Sequence, residues 1–390
     1  MIKRINLLAS AFLMLAAVPV ALFAGNEPGE TGLASIRLVQ QYNFSIHILA
    51  MLLVGFAFVF VFIRNYGYGA TTATYIVVAA GLPLYMLIRS IGCISAEPVA
   101  SNTIKSLLLA EFGVASALIA MGVILGRIRI YQYAILAAVF IPAYMINEWL
   151  VLDGALGFTK GFMDAAGSVV LHAFGAYFGI GMSLVISNEH HRSAPVDSDT
   201  TSDRFSMLGS MMFWLFWPSF CCALVPFSQF EQTAINTVLA LCGATLTTFV
   251  LSAILRKGKI AVGDMANAVL AGGVSIGATC NVVTEWQALL IGACAGILSV
   301  IGFAIIQPYL FKKFKILDSA GIHNLHGMPG LLGGLAAVVA VPSVAKAQLS
   351  GMVVTVALAL VTGIVGGFIL KATGAKKELY QDKEEFSVPA

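Results

Sequence analysis

Beyond residue 34 the chain alternates long, unbroken apolar runs with short polar breaks. The runs cover about residues 35–63, 71–92, 103–126, 130–152, 161–187, 204–225, 233–255, 264–282, 286–306, 319–341 and 349–371. A helix rises about 1.5 Å per residue, so a run of about 20 residues spans the roughly 30 Å of bilayer hydrocarbon. A membrane β-strand would be about half that length and would alternate in polarity. The pattern therefore predicts an all-α membrane protein with eleven spans after its N-terminal segment. That segment has Lys3 and Arg4, an apolar stretch from Ile5 to Phe23, the small pair Ala24 and Gly25, and then Glu27 and Glu30. It is laid out as a secretory signal peptide cut after Ala24. An uncleaved extra helix is the other reading, because the stretch is just long enough to span and Leu22 is bulky for a residue three before the cut. The expected division is a signal peptide at 1–24, a membrane domain at 25–373 and a tail at 374–390.

Composition agrees with the pattern. The chain is 59% hydrophobic and 11% charged, with a mean hydropathy of +0.91, against about 45–50% apolar and about 25% charged in soluble domains. A net charge of +3, spread over many breaks, is too small and scattered for a nucleic-acid surface. Arg64, then Arg127 and Arg129, then Arg192 and Arg204, then Arg256, Lys257 and Lys259, then Lys312, Lys313 and Lys315 fall in alternate breaks. The other breaks carry mainly Glu97, Asp153, Glu231 and Glu285. Basic loops face the cytoplasm, which puts the mature N-terminus outside and the C-terminal tail inside. The cysteines, Cys93, Cys221, Cys222, Cys242, Cys280 and Cys294, show no Cys-x-x-Cys spacing. They are expected to be small packing residues, and no metal or cofactor is expected.

One motif occurs twice. Asp164-Ala-Ala-Gly-Ser-Val-Val-Leu-His172 and Asp318-Ser-Ala-Gly-Ile-His-Asn-Leu-His326 share Asp, Ala, Gly, Leu and His at the same offsets, and Gly179 and Gly333 each follow seven residues after the His. The copies open the fifth and tenth spans, which start on opposite sides of the membrane. The chain is therefore expected to hold two inverted five-helix repeats, at about 35–188 and 204–341, plus a final helix. Eight helical residues rise about 12 Å, so each Asp at a membrane edge carries its His deep into the hydrocarbon. A single His in an apolar helix is more often a packing residue. Two from symmetry-related helices meeting at mid-membrane read as a pathway. Asp164 and Asp318 read as helix-start caps. The small residues Gly175, Ala176, Gly179 and Gly181, and Gly327, Gly330, Gly333 and Gly334, read as sites of close helix approach.

The segments Gly167 to Gly179, Phe213 to Phe220 (Phe-Trp-Leu-Phe-Trp-Pro-Ser-Phe) and Gly321 to Gly334 resemble the Rh glycoprotein branch of the ammonium transporter superfamily. The resemblance runs from the first mature helix to the last. It implies a homotrimer whose subunits each hold a narrow apolar pore, with two stacked phenylalanines at the outer mouth and two histidines at the centre. Carried over by position, His172 and His326 resemble the twin pore histidines. Asp164 resembles the acidic residue that orders the pore entrance, Phe220 the gate phenylalanine of the sixth helix, and Phe112 its stacking partner. Glu148 resembles the acidic residue of the outer vestibule, the alternative being a helix-end carboxylate facing water. After Phe220 come Cys221, Cys222, Ala223 and Leu224, without the serine that the ammonium-transporter branch uses to recruit the cation. The sole glycosylation sequon, Asn43-Phe44-Ser45, lies in an apolar run. Both departures point to a low-affinity, bacterial-type Rh protein in the inner membrane.

The implied function is passive, electroneutral conduction of ammonia, not catalysis, with methylamine and carbon dioxide as further candidate substrates. Deprotonating ammonium about two pH units below its bulk pKa costs roughly 3 kcal/mol. Holding the ion in a dry pore costs several kcal/mol or more. The neutral species wins, and paired neutral imidazoles suit it. An electrogenic ammonium transporter or an ion-coupled secondary transporter shares the same spans and repeats. The latter calls for midplane carboxylates, and the chain has none beyond the helix ends. A bis-histidine haem protein and an ammonium sensor are the other readings. The first would colour the purified protein. The second would ordinarily add a soluble output domain.

Overall fold

The computed structural model describes residues 32–94, 99–193, 197–374, 376–379 and 381–387. The expected signal peptide at 1–24 lies outside them. The chain divides into one unit ending at Val39 and a second running from Gln40. Of the first, only the opening turns of a helix are described. The second holds the rest of the fold.

Nine helices among the described residues are long and apolar enough to cross a membrane. They are α1 (Ala34–Phe62), α2 (Gly67–Ile91), α3 (Ile104–Val123), α4 (Gln132–Val151), α5 (Ser168–Ile186), α6 (Thr200–Cys222), α7 (Phe227–Leu255), α9 (Glu285–Phe314) and α11 (Pro342–Gly374), with the shorter α8 (Val262–Ile276) after α7. Helix α10 is a π turn at His323–Gly327 that runs into Met328–Ala340. No strand occurs among the described residues. The protein is an all-helical, multi-pass membrane protein.

The faces of these helices explain why the chain needs a bilayer. Val339 is 81% exposed, Val353 68%, Met211 67% and Ile254 67%. Meanwhile Thr74, Ser116, Thr237 and Ser299 are buried. An apolar skin over a partly polar interior is stable only where the solvent is hydrocarbon. Two of these hydroxyls bond to carbonyls of their own helices: Thr74 Oγ1 donates to Ala70 O at 3.0 Å and Thr237 Oγ1 to Thr233 O at 2.7 Å. Helices α7 and α9 pack along their length, as do α5 and α11. Each pairing lets glycine meet backbone: a Cβ on Gly292 would strike the Ala240 carbonyl, and one on Gly363 the Phe178 carbonyl.

Four of the five basic breaks meet one another. Arg64 N–H donates to Asp197 O at 2.8 Å and Ser319 N–H to Val123 O at 3.0 Å. Arg192 Nε donates to Lys315 O at 3.4 Å. Asp382 N–H donates to Asn65 O at 2.9 Å. These bonds join the segments after α1, α3, α5 and α9 to the tail.

Several boundaries differ from those expected. Helix α5 starts at Ser168, not 161, because Gly161 and Gly167 hold positive φ (91° and 81°) and the backbone turns there. The apolar run 161–187 thus contains a loop as well as a helix. Helix α9 continues to Phe314, where Lys312 and Lys313 favour its negative C-terminal end. Helices α8 and α10 are shorter than the runs at 264–282 and 319–341, since their flanks form turns.

Candidate substrate pathway

The duplicated motif reappears as duplicated bonding. Gly167 and Gly321 stand three residues after the two Asp residues, and both hold positive φ, 81° and 66°. Asp164 Oδ2 accepts from the N–H of Val169 at 2.9 Å and of Val170 at 2.7 Å. Asp318 Oδ2 accepts from the N–H of His323 at 2.8 Å. Ala166 N–H donates to Gly277 O, just past α8, at 2.8 Å, and Ala320 N–H donates to Gly122 O in α3 at 3.2 Å. Both Asp residues therefore act from the loop before the helix. The route from Asp to His bends through a glycine turn, so a straight 12 Å helical rise does not describe it.

Each copy then opens its helix with a π turn, Ser168–Ala173 and His323–Gly327. A π turn shifts the hydrogen-bond register by one residue, leaves carbonyls without their usual partners, and is frequent at functional sites. In α5 those carbonyls are answered by side chains. Ser116 Oγ donates to Leu171 O at 2.7 Å and Asn147 Nδ2 to Val170 O at 3.3 Å, while Thr355 Oγ1 donates to Asn147 Oδ1 at 3.0 Å. Three helices thus fix the backbone just before His172. Ser168 Oγ donates to Val274 O at 2.6 Å and accepts from Ala278 N–H at 2.7 Å. Gly330 lies where a Cβ would collide with the Ser168 carbonyl, so α10 sits directly on the start of α5.

This scaffold brings the two histidines together. The rings of His172 and His326 stack at 5.2 Å and 12°, with Nδ1 to Nδ1 at 3.1 Å. One Nδ1 donates and the other accepts, which turns each Nε2 outward. His172 Nε2 is buried and has no protein partner. Phe220 lies 6.2 Å from the His172 ring, and Phe112 stacks on Phe220 at 4.1 Å and 12°. Four rings from α3, α6, α5 and α10 thus follow one another. Behind Phe220 lies a cavity of about 30 Å³, room for about two molecules the size of water. Apart from the two histidines, Asn267 and the Trp217 ring, aliphatic and phenyl side chains line it.

Sequence reasoning singled out Phe220 in α6 but passed over Phe213 and Trp217, which line the same cavity. The signal was available: positions 213, 217 and 220 are spaced four and three apart and share one helix face. The Trp217 ring stacks on His172 at 5.8 Å and 24°. Asn267 also lines the cavity, and nothing in its local pattern marked it. The three acidic candidates lie outside the ring series: Asp164 and Asp318, which bond their own helix starts, and Glu148. Glu148 is 7% exposed and its Oε2 accepts from Tyr85 Oη at 2.7 Å. In this chain the Tyr85 hydroxyl holds the Glu148 carboxylate mostly inside the protein.

The chain matches the Ammonium Transporter Family model over residues 5–387. It belongs to the ammonium transporter family. Its Rh-type relatives include the rat protein named ammonium transporter Rh type C, 31% identical, with 87% of this chain and 75% of that protein covered. The bovine ammonium transporter Rh type A is 30% identical, with 93% of this chain and 88% of that protein covered. Among solved structures, Nitrosomonas europaea Rh50, described with conduction by the Rhesus protein family of channels, superposes with a TM-score of 0.90 at 56% identity. The match covers 91% of this chain and 94% of that one. Candida albicans Mep2, at 16% identity and a TM-score of 0.74 over 89% of this chain and 86% of its own, shares the fold. The Rh-type resemblance read from the three segments thus agrees with the whole-chain similarity.

Proposed function

We propose that this member of the ammonium transporter family conducts ammonia passively and electroneutrally through the ring series Phe112, Phe220, His172 and His326. The observation that supports the reading is the imidazole pair, Nδ1 to Nδ1 at 3.1 Å, at an almost wholly apolar cavity. Such a lumen gives a cation little to replace its hydration and no counter-charge. Its cost there is several kcal/mol at the least, whereas giving up the proton at neutral pH costs roughly 3 kcal/mol. Ammonium therefore loses its proton before the cavity and regains one beyond it, and the neutral species moves. The imidazoles that share a proton at Nδ1 leave a free Nε2 on each side to hydrogen-bond the passing molecule. Phe112 and Phe220 keep water and ions out of the mouth. Asp164 acts as a positioning residue, since its carboxylate holds the backbone that leads to His172, and Asp318 does the same in the second copy. Glu148 raises the local ammonium concentration at the outer vestibule.

The proposed setting is eleven spans, α1 to α11, arranged as two inverted five-helix repeats and a last helix, after a signal peptide removed at Ala24. The protein sits as a homotrimer in the inner membrane, N-terminus outside and tail inside, with methylamine and carbon dioxide as further permeants. The rat and bovine relatives carry the name ammonium transporter, and this chain is given the same substrate. The test is stopped-flow fluorimetry of proteoliposomes holding a pH dye. An inward ammonium gradient should alkalinise their lumen several times faster than protein-free liposomes. Equal rates in the two would remove the proposal.

A further inference from the structure

Beside the segment after α3, the start of α4 and the ends of α5 and α11 lies a second pocket, of about 190 Å³, where one water takes about 10 to 15 Å³. Its lining includes Arg127, Ser187, Asn188, Lys371, Lys376 and Lys377. Every charged residue in that lining is a cation. Lys376 is paired with Glu384 at 2.6 Å. Among the described residues Arg127, Lys371 and Lys377 have no carboxylate within ion-pair distance.

Arg127 sharpens the imbalance. It is 1% exposed, and its guanidinium is held by neutral groups only. Nη1 donates to Ser183 Oγ at 3.0 Å and Ser187 Oγ at 2.5 Å, and Nη2 donates to Leu317 O at 3.1 Å and to Val123 O. Its Nε is buried with no partner. Asp318 offsets part of its charge through space but makes no ion pair with it, and Lys371 and Lys377 have no ion-pair carboxylate among the described residues. The C-terminal ends of α5 and α11 supply roughly half a negative charge each and the N-terminal end of α4 roughly half a positive one. They do not cancel three full charges. A buried cation without an anion is costly, and a multi-oxygen anion is what lysine ammonium groups and a guanidinium bind best. The pocket wall is a built one, since Asn188 Nδ2 donates to the carbonyls of Lys376 and Lys377 at 3.2 and 3.1 Å and ties the tail to the end of α5.

We propose that this pocket is a binding site for a phosphate-type anion, supplied either as the headgroup of an anionic lipid or as free inorganic phosphate. Basic pockets between membrane helices take lipid headgroups by this chemistry. The site is separate from the ring series and does not depend on how that series works.

Two measurements on the purified full chain distinguish the sources. Thermal unfolding is followed while inorganic phosphate is titrated at constant ionic strength against chloride. Native mass spectrometry then counts phosphatidylglycerol and phosphatidylcholine retained by the protein. Stabilisation by phosphate identifies the free anion. Selective retention of phosphatidylglycerol without a phosphate response identifies the lipid. The variant Lys371→Gln/Lys377→Gln, checked for an unchanged gel-filtration profile, should bind the active probe on the order of tenfold more weakly. Arg127→Gln is the sharper change but risks misfolding, which is why the lysine pair carries the test. The proposal is overturned if phosphate gives no stabilisation and phosphatidylglycerol is retained no better than phosphatidylcholine, or if the lysine variant binds the active probe like the parent.

Discussion

Replacing Asp164 by alanine should destabilise the protein and slow ammonia flux together. The carboxylate accepts two buried backbone N–H groups, from Val169 at 2.9 Å and Val170 at 2.7 Å. Alanine leaves both unsatisfied. Each orphaned buried donor costs about 1–3 kcal/mol, so the loss is about 2–6 kcal/mol before relaxation or an entering water reduces it. Asp164→Asn keeps one carbonyl oxygen at the same place and loses only the charge-assisted part, about 1 kcal/mol. Its amide NH2 would fall where Asp164 Oδ1 already has no partner, so little further is lost. The expected order of thermal unfolding midpoints in detergent is wild type, then Asp164→Asn, then Asp164→Ala. In liposomes, flux per folded protein should follow the same order, because the freed backbone lies two and three residues before His172. An Asp164→Ala protein that melts with the wild type would refute the cap. One that melts early but conducts normally would refute the positioning role.

Phe220→Ala should change the initial flux by at least about twofold, the scale of an aromatic pair worth 0.5–1.5 kcal/mol; unchanged flux in both Phe220→Ala and Phe112→Ala at equal protein density would end the gate assignment. Gly330→Ala drives a methyl group into the Ser168 carbonyl, so unfolding should come earlier by about 1–3 kcal/mol, and an unaltered melting curve would count against that close approach. Intact mass measured on the protein purified from membranes should correspond to a chain beginning near Gly25; a mass that includes Met1 would add a twelfth helix.

Much of the fold is legible because a bilayer demands long apolar runs, and nine of the eleven expected runs are matched by long apolar helices. The repeated motif also reads directly, since Asp and Gly at fixed offsets shape the backbone and the His at the end of each copy pairs with the other. What sequence reading lost was the loop within 161–187. Its composition is as apolar as a helix, and only the positive-φ glycines divide it. The candidate pathway is legible where the chemistry is rare, as at His172 and His326, whose rings pair. It is obscure where cavity-lining side chains look like core: Phe213 and Trp217 are among many aromatics, and Asn267 depends on how α8 is turned. Glu148 shows the reverse difficulty, since its burial depends on Tyr85, 63 residues away in sequence.

The most direct test of the account is a paired recording of flux and current. Wild type, His172→Ala and His326→Ala, each reconstituted at equal density, are given an ammonium gradient while lumen pH and transmembrane current are followed. The account predicts rapid alkalinisation with no sustained current for the wild type. Each variant should remain folded with flux about tenfold lower or less, the loss of a buried hydrogen-bonding partner to the permeant. A steady current that scales with ammonium concentration would contradict electroneutrality, and wild-type flux in both variants would return the histidines to a purely structural role.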